Sequence, residues 1–231
     1  MATAAPEATS RPRRTQQERR AGTRRALLEA TSACLIAEGY AGTTTTAVCR
    51  RAGVSQGALF KHFSAKGLLL GAAAEQLFDQ LTERFLERFG AIERSTSDPG
   101  ERIDRAVRLL WEMFQSDEFA ASLELELAAR TDPALRRVLG AVLTRHAERV
   151  RVQAATLFPT ARGEHYDRTI DLVLEVMVGM AVSRIADAEP EHYRRLLDHV
   201  CGLARTALAP DDQTNQTEQS RPDDSPPARI S

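Results

Sequence analysis

Gln56, Lys61, His62 and Lys66 are the side chains whose types and spacing offer chemistry toward a partner, and they fall within one short stretch, SQGALFKHFSAK. The Gln56 amide can accept from adenine N6–H and donate to N7 at once. Gly57 and Ala58 are small enough to let backbone approach a groove floor, and Phe60, Lys61 and His62 fall toward the open face. Lys66 begins a further helix, where a cation opposes the helix dipole, so a phosphate is the natural partner for it. Thr43-Thr44, just upstream, supplies a hydroxyl cap, and a hydroxyl beside the free N–H groups of a helix start also suits phosphate.

Other constellations carry less. His192 and His199, with Asp198 and Cys201 near, are more readily read as surface or interface than as metal ligands. His146 and Glu148 are two apart and do not face each other on a helix. The chain has no nucleophile elbow, glycine-rich phosphate loop or HExxH motif. The expectation is a protein that is not an enzyme, with no cofactor and no metal. Cys34, Cys49 and Cys201 are few, odd in number and far apart, which suits a reducing, cytoplasmic setting.

The charge is divided along the chain. Residues 1–66 hold 11 Lys+Arg against 4 Asp+Glu, whereas the whole chain has a net charge of -1. A basic N-terminal part joined to an acidic remainder predicts an anionic partner for the first part only, nucleic acid before membrane surface. The opening MATAAPEATSRPRR is polar and proline-broken, unlike a secretory leader. The longest apolar run, Leu172–Val182, is short and interrupted by Glu175, so no membrane span is expected.

The elements that position these residues read as helices throughout, because Ala, Leu and Arg dominate and β-branched or aromatic runs are scarce. A first helix fits about 16–38, ended by Gly39, with Arg19, Arg20, Arg24 and Arg25 in its first half. Thr43-Thr44 starts a helix at about 45–52; Gly53 permits a turn, and Ser55 caps a helix at about 56–62. Val48, Ala52, Leu59 and Phe63 point inward. This is a helix-turn-helix, which lays its second helix in the DNA major groove. Ser64 is expected to cap the next helix.

Residues 24–70 closely resemble the DNA-binding domain of the TetR family of bacterial transcriptional regulators. The matching positions are Gly39-Tyr40, Thr43-Thr44, Val48, Ala52-Gly53-Val54-Ser55, Gly57, Leu59-Phe60, His62-Phe63, Lys66 and Leu69. The resemblance implies that Gln56, Ala58, Phe60 and Lys61 lie at the groove. It also implies that Thr44, Thr45, Phe60, His62 and Lys66 touch phosphate or sugar. Three positions depart from the pattern: Phe60 stands where the family usually has Tyr, and Ala47 and Gly67 stand where it often has an acid that would complete a cap.

Beyond Lys66 the pattern predicts helices at about 66–92, 101–116, 117–130, 133–157, 164–187 and 190–208. Residues 1–13 read as a disordered basic arm, 14–65 as the DNA-binding domain, 66–209 as a helical regulatory and dimerisation domain, and 210–231 as a disordered tail. The helix at 164–187 is apolar on more than one face, so it must bury one face on its own core and one on something else. In the resembled family this helix and the last one pair with their twofold mates. Met177, Val178, Val182, Leu196, Val200 and Leu203 are the candidate dimer contacts, and a twofold dimer matches palindromic half-sites roughly 34–36 Å apart. Together with the resemblance, Phe78, Phe85, Trp111, Phe114, Phe119, Met177 and Met180 imply a cavity for a small, fairly apolar effector. Glu124 is a candidate polar partner there.

The expectation is therefore an all-α fold of about nine helices, working as a homodimeric DNA-binding regulator of an operator. The role it implies is a repressor released by a small molecule. The alternatives are a ligand-independent regulator and a helical protein-interaction adaptor.

Overall fold

A computed structural model describes residues 15–158, 164–186 and 189–208, and places nine α-helices among them. They are α1 (Gln16–Gly42), α2 (Thr45–Ala52), α3 (Gln56–His62), α4 (Lys66–Ser95), α5 (Pro99–Phe114), α6 (Asp117–Ala129), α7 (Pro133–Leu157), α8 (Glu164–Ala186) and α9 (Pro190–Leu208). The all-α fold is the expected one, and α2 and α3 have the expected bounds. The proposed arm and tail lie outside the described residues.

The helix ends follow from local chemistry. Thr15 caps α1 in a full capping box, its hydroxyl accepting from the Glu18 N–H while the Glu18 carboxylate accepts from the Thr15 N–H. Gly39 has φ +66°, the left-handed conformation that ends a run of regular helix and suits a residue without a Cβ. Gly53 does the same after α2, with φ +67°. Asp98 caps α5 ahead of Pro99, and Asp132 accepts from the N–H groups of Ala134 and Leu135 ahead of α7.

One expected cap is displaced. Ser64 was expected to open α4, but the helix begins at Lys66, so the capping position falls on Ala65. The Ala65 carbonyl accepts from Leu68 and Leu69, and no hydroxyl is available at that position.

The described residues form two compact units. One comprises the described residues up to Thr82 together with Ser116–His146; the other comprises Glu83–Gln115 and the described residues from Ala147 onward. Their limits differ from a division at residues 65 and 66. The helix-turn-helix shares its core with α6 and the first part of α7. Leu27, Leu35, Val48, Leu59, Leu69, Leu70, Leu77, Leu125, Leu135 and Leu139 are all buried in a single cluster. Val138 packs so closely on Gly71 that a Cβ there would lie 2.3 Å from its methyl, so the glycine serves α4–α7 packing.

In the second unit, Phe89, Ala106 and Leu109 form a small core with Phe85, Ile92, Leu157 and Phe158. α5 and α9 are joined by ion pairs: Arg108 with Asp198 at 2.7 Å, and Arg205 with Asp104. Trp111 of α5 stacks on Tyr193 of α9. No described helix is long and apolar enough to cross a membrane.

Candidate nucleic-acid interface

Threonines 43–46 lie at the junction of α1 and α2, and three of them make side-chain hydrogen bonds there. Thr43 is buried; both its N–H and its hydroxyl donate to the Gly39 carbonyl, which closes the end of α1. Thr44 alone caps α2, accepting from the Ala47 N–H at 3.1 Å. The expected Thr43-Thr44 cap is thus divided, each residue finishing a different helix. With Ala47 in the third position the cap is one-sided, because an alanine returns no bond to the Thr44 N–H. Thr45 is half-buried at the first turn of α2, and Thr46 is exposed beside it.

Ser55 accepts from the Ala58 N–H at 3.1 Å and starts α3. Within α3, Leu59 is fully buried and Phe63, just past its end, is buried too, so the base of the helix is fixed in the core. The opposite side is open. Gln56, Gly57, Phe60 and Lys61 are exposed, while Ala58 and His62 are half-buried. Phe60 is 46% exposed, an unusual position for a phenylalanine without a partner surface.

Gln56 is not loose. Its Nε2 donates to the Thr46 hydroxyl at 2.9 Å across the turn between α2 and α3. Thr46 was not among the residues singled out from sequence. The available signal was its place near the start of α2, ten residues before the first residue of α3, among threonines otherwise used for caps.

Lys66 has a partner in the free chain. Its ammonium lies 5.0 Å from the centroid of the Tyr40 ring, a cation–π contact. Tyr40 in turn donates its backbone N–H to the Glu124 carboxylate at 2.7 Å, although the two are 84 residues apart. Glu124 was expected as a polar group of an effector cavity; instead its carboxylate ties α6 to the end of α1. The guanidinium of Arg24 sits 5.3 Å from the Phe63 ring, so one of the N-terminal arginines packs on the base of the reading helix.

Burial pushes the Cys34, Cys49 and Cys201 thiols above their ordinary value, and all three are free and buried, as core residues are. No group of His, Cys, Asp or Glu among the described residues has the arrangement of a metal site.

The other candidates fall as follows. Phe78, Phe119 and Glu124 belong to the first unit, and Phe85, Trp111, Phe114, Met177 and Met180 to the second. Phe78 is buried and stacks on His146 at 4.5 Å. Met177 and Val200, expected at a dimer contact, are 0% and 5% exposed and belong to the core of their own chain. Val182, Leu196 and Leu203 are exposed as that expectation requires, and Val178 is half-buried. Leu172 and Ile185 of α8, absent from the expected set, are exposed as well.

The fold and the edge have clear relatives. The family profile described as bacterial regulatory proteins, tetR family, matches residues 27–73. Over 203 residues the chain is 33% identical to the HTH-type transcriptional regulator CymR of Pseudomonas putida, covering 85% of this chain and 96% of that protein. Over 200 residues it is 32% identical to the HTH-type transcriptional regulator Rv2912c of Mycobacterium tuberculosis, covering 84% and 99%. Among solved structures, the fold is similar to a transcriptional regulator of Rhodococcus sp. Rha1, with a TM-score of 0.62 and 24% identity over 79% of this chain and 96% of that one. It is also similar to the multidrug binding protein EbrR complexed with ethidium, with a TM-score of 0.60 and 22% identity over 79% and 98%.

Proposed function

Because the chain belongs to the tetR family of bacterial regulatory proteins, we propose that it is a homodimeric, cytoplasmic repressor of a palindromic operator, released by a small, fairly apolar ligand. The relatives are transcriptional regulators with a DNA-binding helix-turn-helix and not enzymes, and the same holds for this chain. The observation that carries the operator-binding part of this reading is the edge of α3. Gln56, Gly57, Phe60 and Lys61 stand open to solvent on a helix whose other side is locked by Leu59.

Each contact has a separate task. Gln56 reads a base edge, and Gly57 and Ala58 let the backbone come close. Thr44, Thr45, Phe60, His62 and Lys66 bear on phosphate and sugar, which fixes register without reading sequence. Lys66 exchanges the Tyr40 ring for a phosphate oxygen. Dimerisation uses the exposed apolar positions of α8 and α9, namely Leu172, Val182, Ile185, Leu196 and Leu203, because solvated apolar rows of that kind mark a partner surface. The effector reading is supported by EbrR, whose structure holds ethidium. A ligand that binds one dimer geometry better than another shifts the population away from the one that fits the operator.

The test is equilibrium binding of the full chain to duplexes it selects from a random pool, repeated over a range of salt. Binding should weaken steeply with salt. Lys66→Ala should weaken all sequences alike and lower the salt slope by about one. A chain that selects no duplex, or a Lys66→Ala variant with an unchanged slope and affinity, overturns the reading.

A further inference from the structure

We infer that Thr46 is a specificity-determining positioning residue: it holds the Gln56 amide in the orientation in which it reads a base. The inference rests on the base-reading role proposed above for Gln56 and adds the group that makes that role precise.

A glutamine at the first position of a short exposed helix has three rotatable side-chain bonds and no packing to fix them. Left alone it would sweep many orientations, and a swinging amide distinguishes bases poorly. Here the amide is fixed from the other helix. Thr46 is the second residue of α2 and Gln56 the first of α3, and the bond between them spans the turn at 2.9 Å. Both side chains are exposed, so neither is held there by burial.

The chemistry of the bond matters as much as its presence. A primary amide has two N–H donors and one carbonyl acceptor. One N–H is given to the Thr46 hydroxyl. The other N–H and the carbonyl remain, and that pair is what the N7 and N6 edge of adenine requires. Threonine is β-branched, so its hydroxyl direction is itself restricted at χ1, and Thr46 stands on a helix whose start is pinned by the Thr44 cap. The turn between the helices is set by Gly53 at φ +67°. The bond therefore favours one orientation of the amide before DNA arrives, which lowers the cost of ordering it during binding.

Such a residue leaves a particular signature. Losing it does not remove a phosphate contact, so affinity for random duplex and the salt slope stay as they were. It loosens one base preference. A single neutral hydrogen bond corresponds to a discrimination change of roughly three- to tenfold at the half-site position read by Gln56.

The experiment uses the full chain and random-pool duplex selection, with the base preference measured position by position for the parent, Gln56→Ala, Thr46→Val, Thr46→Ser and the double variant Gln56→Ala/Thr46→Val. Thr46→Val keeps shape and removes the hydroxyl; Thr46→Ser restores it. The expected result is that Thr46→Val relaxes the same position as Gln56→Ala and no other. Thr46→Ser returns most of the preference, and the double variant is no looser than Gln56→Ala. Salt slopes and thermal unfolding should be unchanged throughout.

If Gln56→Ala relaxes a position and Thr46→Val does not, the role of Thr46 falls while that of Gln56 stands. If Gln56→Ala itself relaxes nothing, the base-reading role falls and takes the inference with it. If Thr46→Val weakens all duplexes alike and lowers the salt slope, Thr46 is a phosphate contact and the inference is overturned.

Discussion

α3 and α9 are built on one plan with opposite chemistry on the open side. In α3, Leu59 is buried and Phe60 is exposed; in α9, Val200 is buried and Leu203 is 45% exposed. Around Phe60 the open positions are polar or small: Gln56, Gly57 and Lys61. On the open side of α9, Leu196 is 37% exposed and stands seven residues from Leu203, with the exposed His199 between them and the charged Arg195, Asp198 and Arg205 beside them. A polar face over a rigid base can meet a hydrated polyanion, which is held by charge and by groove-edge hydrogen bonds. An apolar face gains only by excluding water against another apolar face. Under the proposed reading, the composition of the open side over a well-fixed base is what separates α3, assigned to DNA, from α9, whose two exposed leucines are assigned to a second copy of the chain.

The sharpest way to break that comparison is to charge the apolar row. Leu196→Glu/Leu203→Glu should leave the helical circular dichroism intact, since both side chains are partly exposed and a glutamate can reach solvent from either position. It should convert the dimer to a monomer by sedimentation. Operator affinity should fall by about 100-fold or more, because two linked half-site contacts exceed either one by factors of that order. An unchanged dimer mass would remove the proposed role of this row.

Buried neighbours on the same helices give the control. Met177→Ala should cost about 2–5 kcal/mol in urea unfolding, as truncations of core methionines do, with the dimer contact itself intact. The sequence could not separate these two classes. α8 is apolar nearly all round, so periodicity alone did not tell which stripe meets its own chain. Val173, Met177, Met180 and Ala181 took the inward stripe, and Leu172, Val182 and Ile185 were left out. The bounds of α2 and α3 were legible, because Gly53, Thr44 and Ser55 are local signals whose meaning does not depend on distant chain. The Glu124 tie was not legible for the opposite reason: its partner is a backbone N–H 84 residues away, and no local pattern announces a main-chain donor. The Thr46 contact was not legible because its partner is a side chain ten residues on, in the next helix.

A smaller effect is expected where the reading unit is tied at the end of α1. Gly39→Ala combines a left-handed backbone with a Cβ 2.6 Å from a Glu124 carboxylate oxygen. It should destabilise by about 1–3 kcal/mol. Glu124→Gln should cost about 1 kcal/mol, since a charge-assisted bond to the Tyr40 N–H becomes a neutral one. Equal stability of Gly39→Ala and the parent in urea would show that this tie bears no strain and fixes nothing.

The smallest effect concerns polar accounting. In the first unit Gln56 and the Tyr40 N–H are mated to groups from other helices, while the Ser32 hydroxyl oxygen is buried without a hydrogen-bond partner among the described residues. In the second, the Tyr166 phenol oxygen is buried without a hydrogen-bond partner among the described residues. Burial raises its pKa from 10.0 to about 12, with the charge of Asp167 adding to the effect. Below pH 10 the phenol is protonated in both folded and unfolded chains, and it gives stability no pH dependence. Between about 10 and about 12 the unfolded chain releases the proton and the folded chain keeps it, so stability is lost as pH rises through that window. Tyr166→Phe removes the hydroxyl and its desolvation cost. It should be neutral or stabilising by about 1 kcal/mol at pH 7, and its unfolding free energy should fall less steeply than the parent's from pH 10 to 12. Urea unfolding of both proteins at pH 7, 10, 11 and 12 reads the difference. Parallel alkaline slopes, or a loss of more than about 1 kcal/mol at pH 7, would mean that the hydroxyl is mated after all.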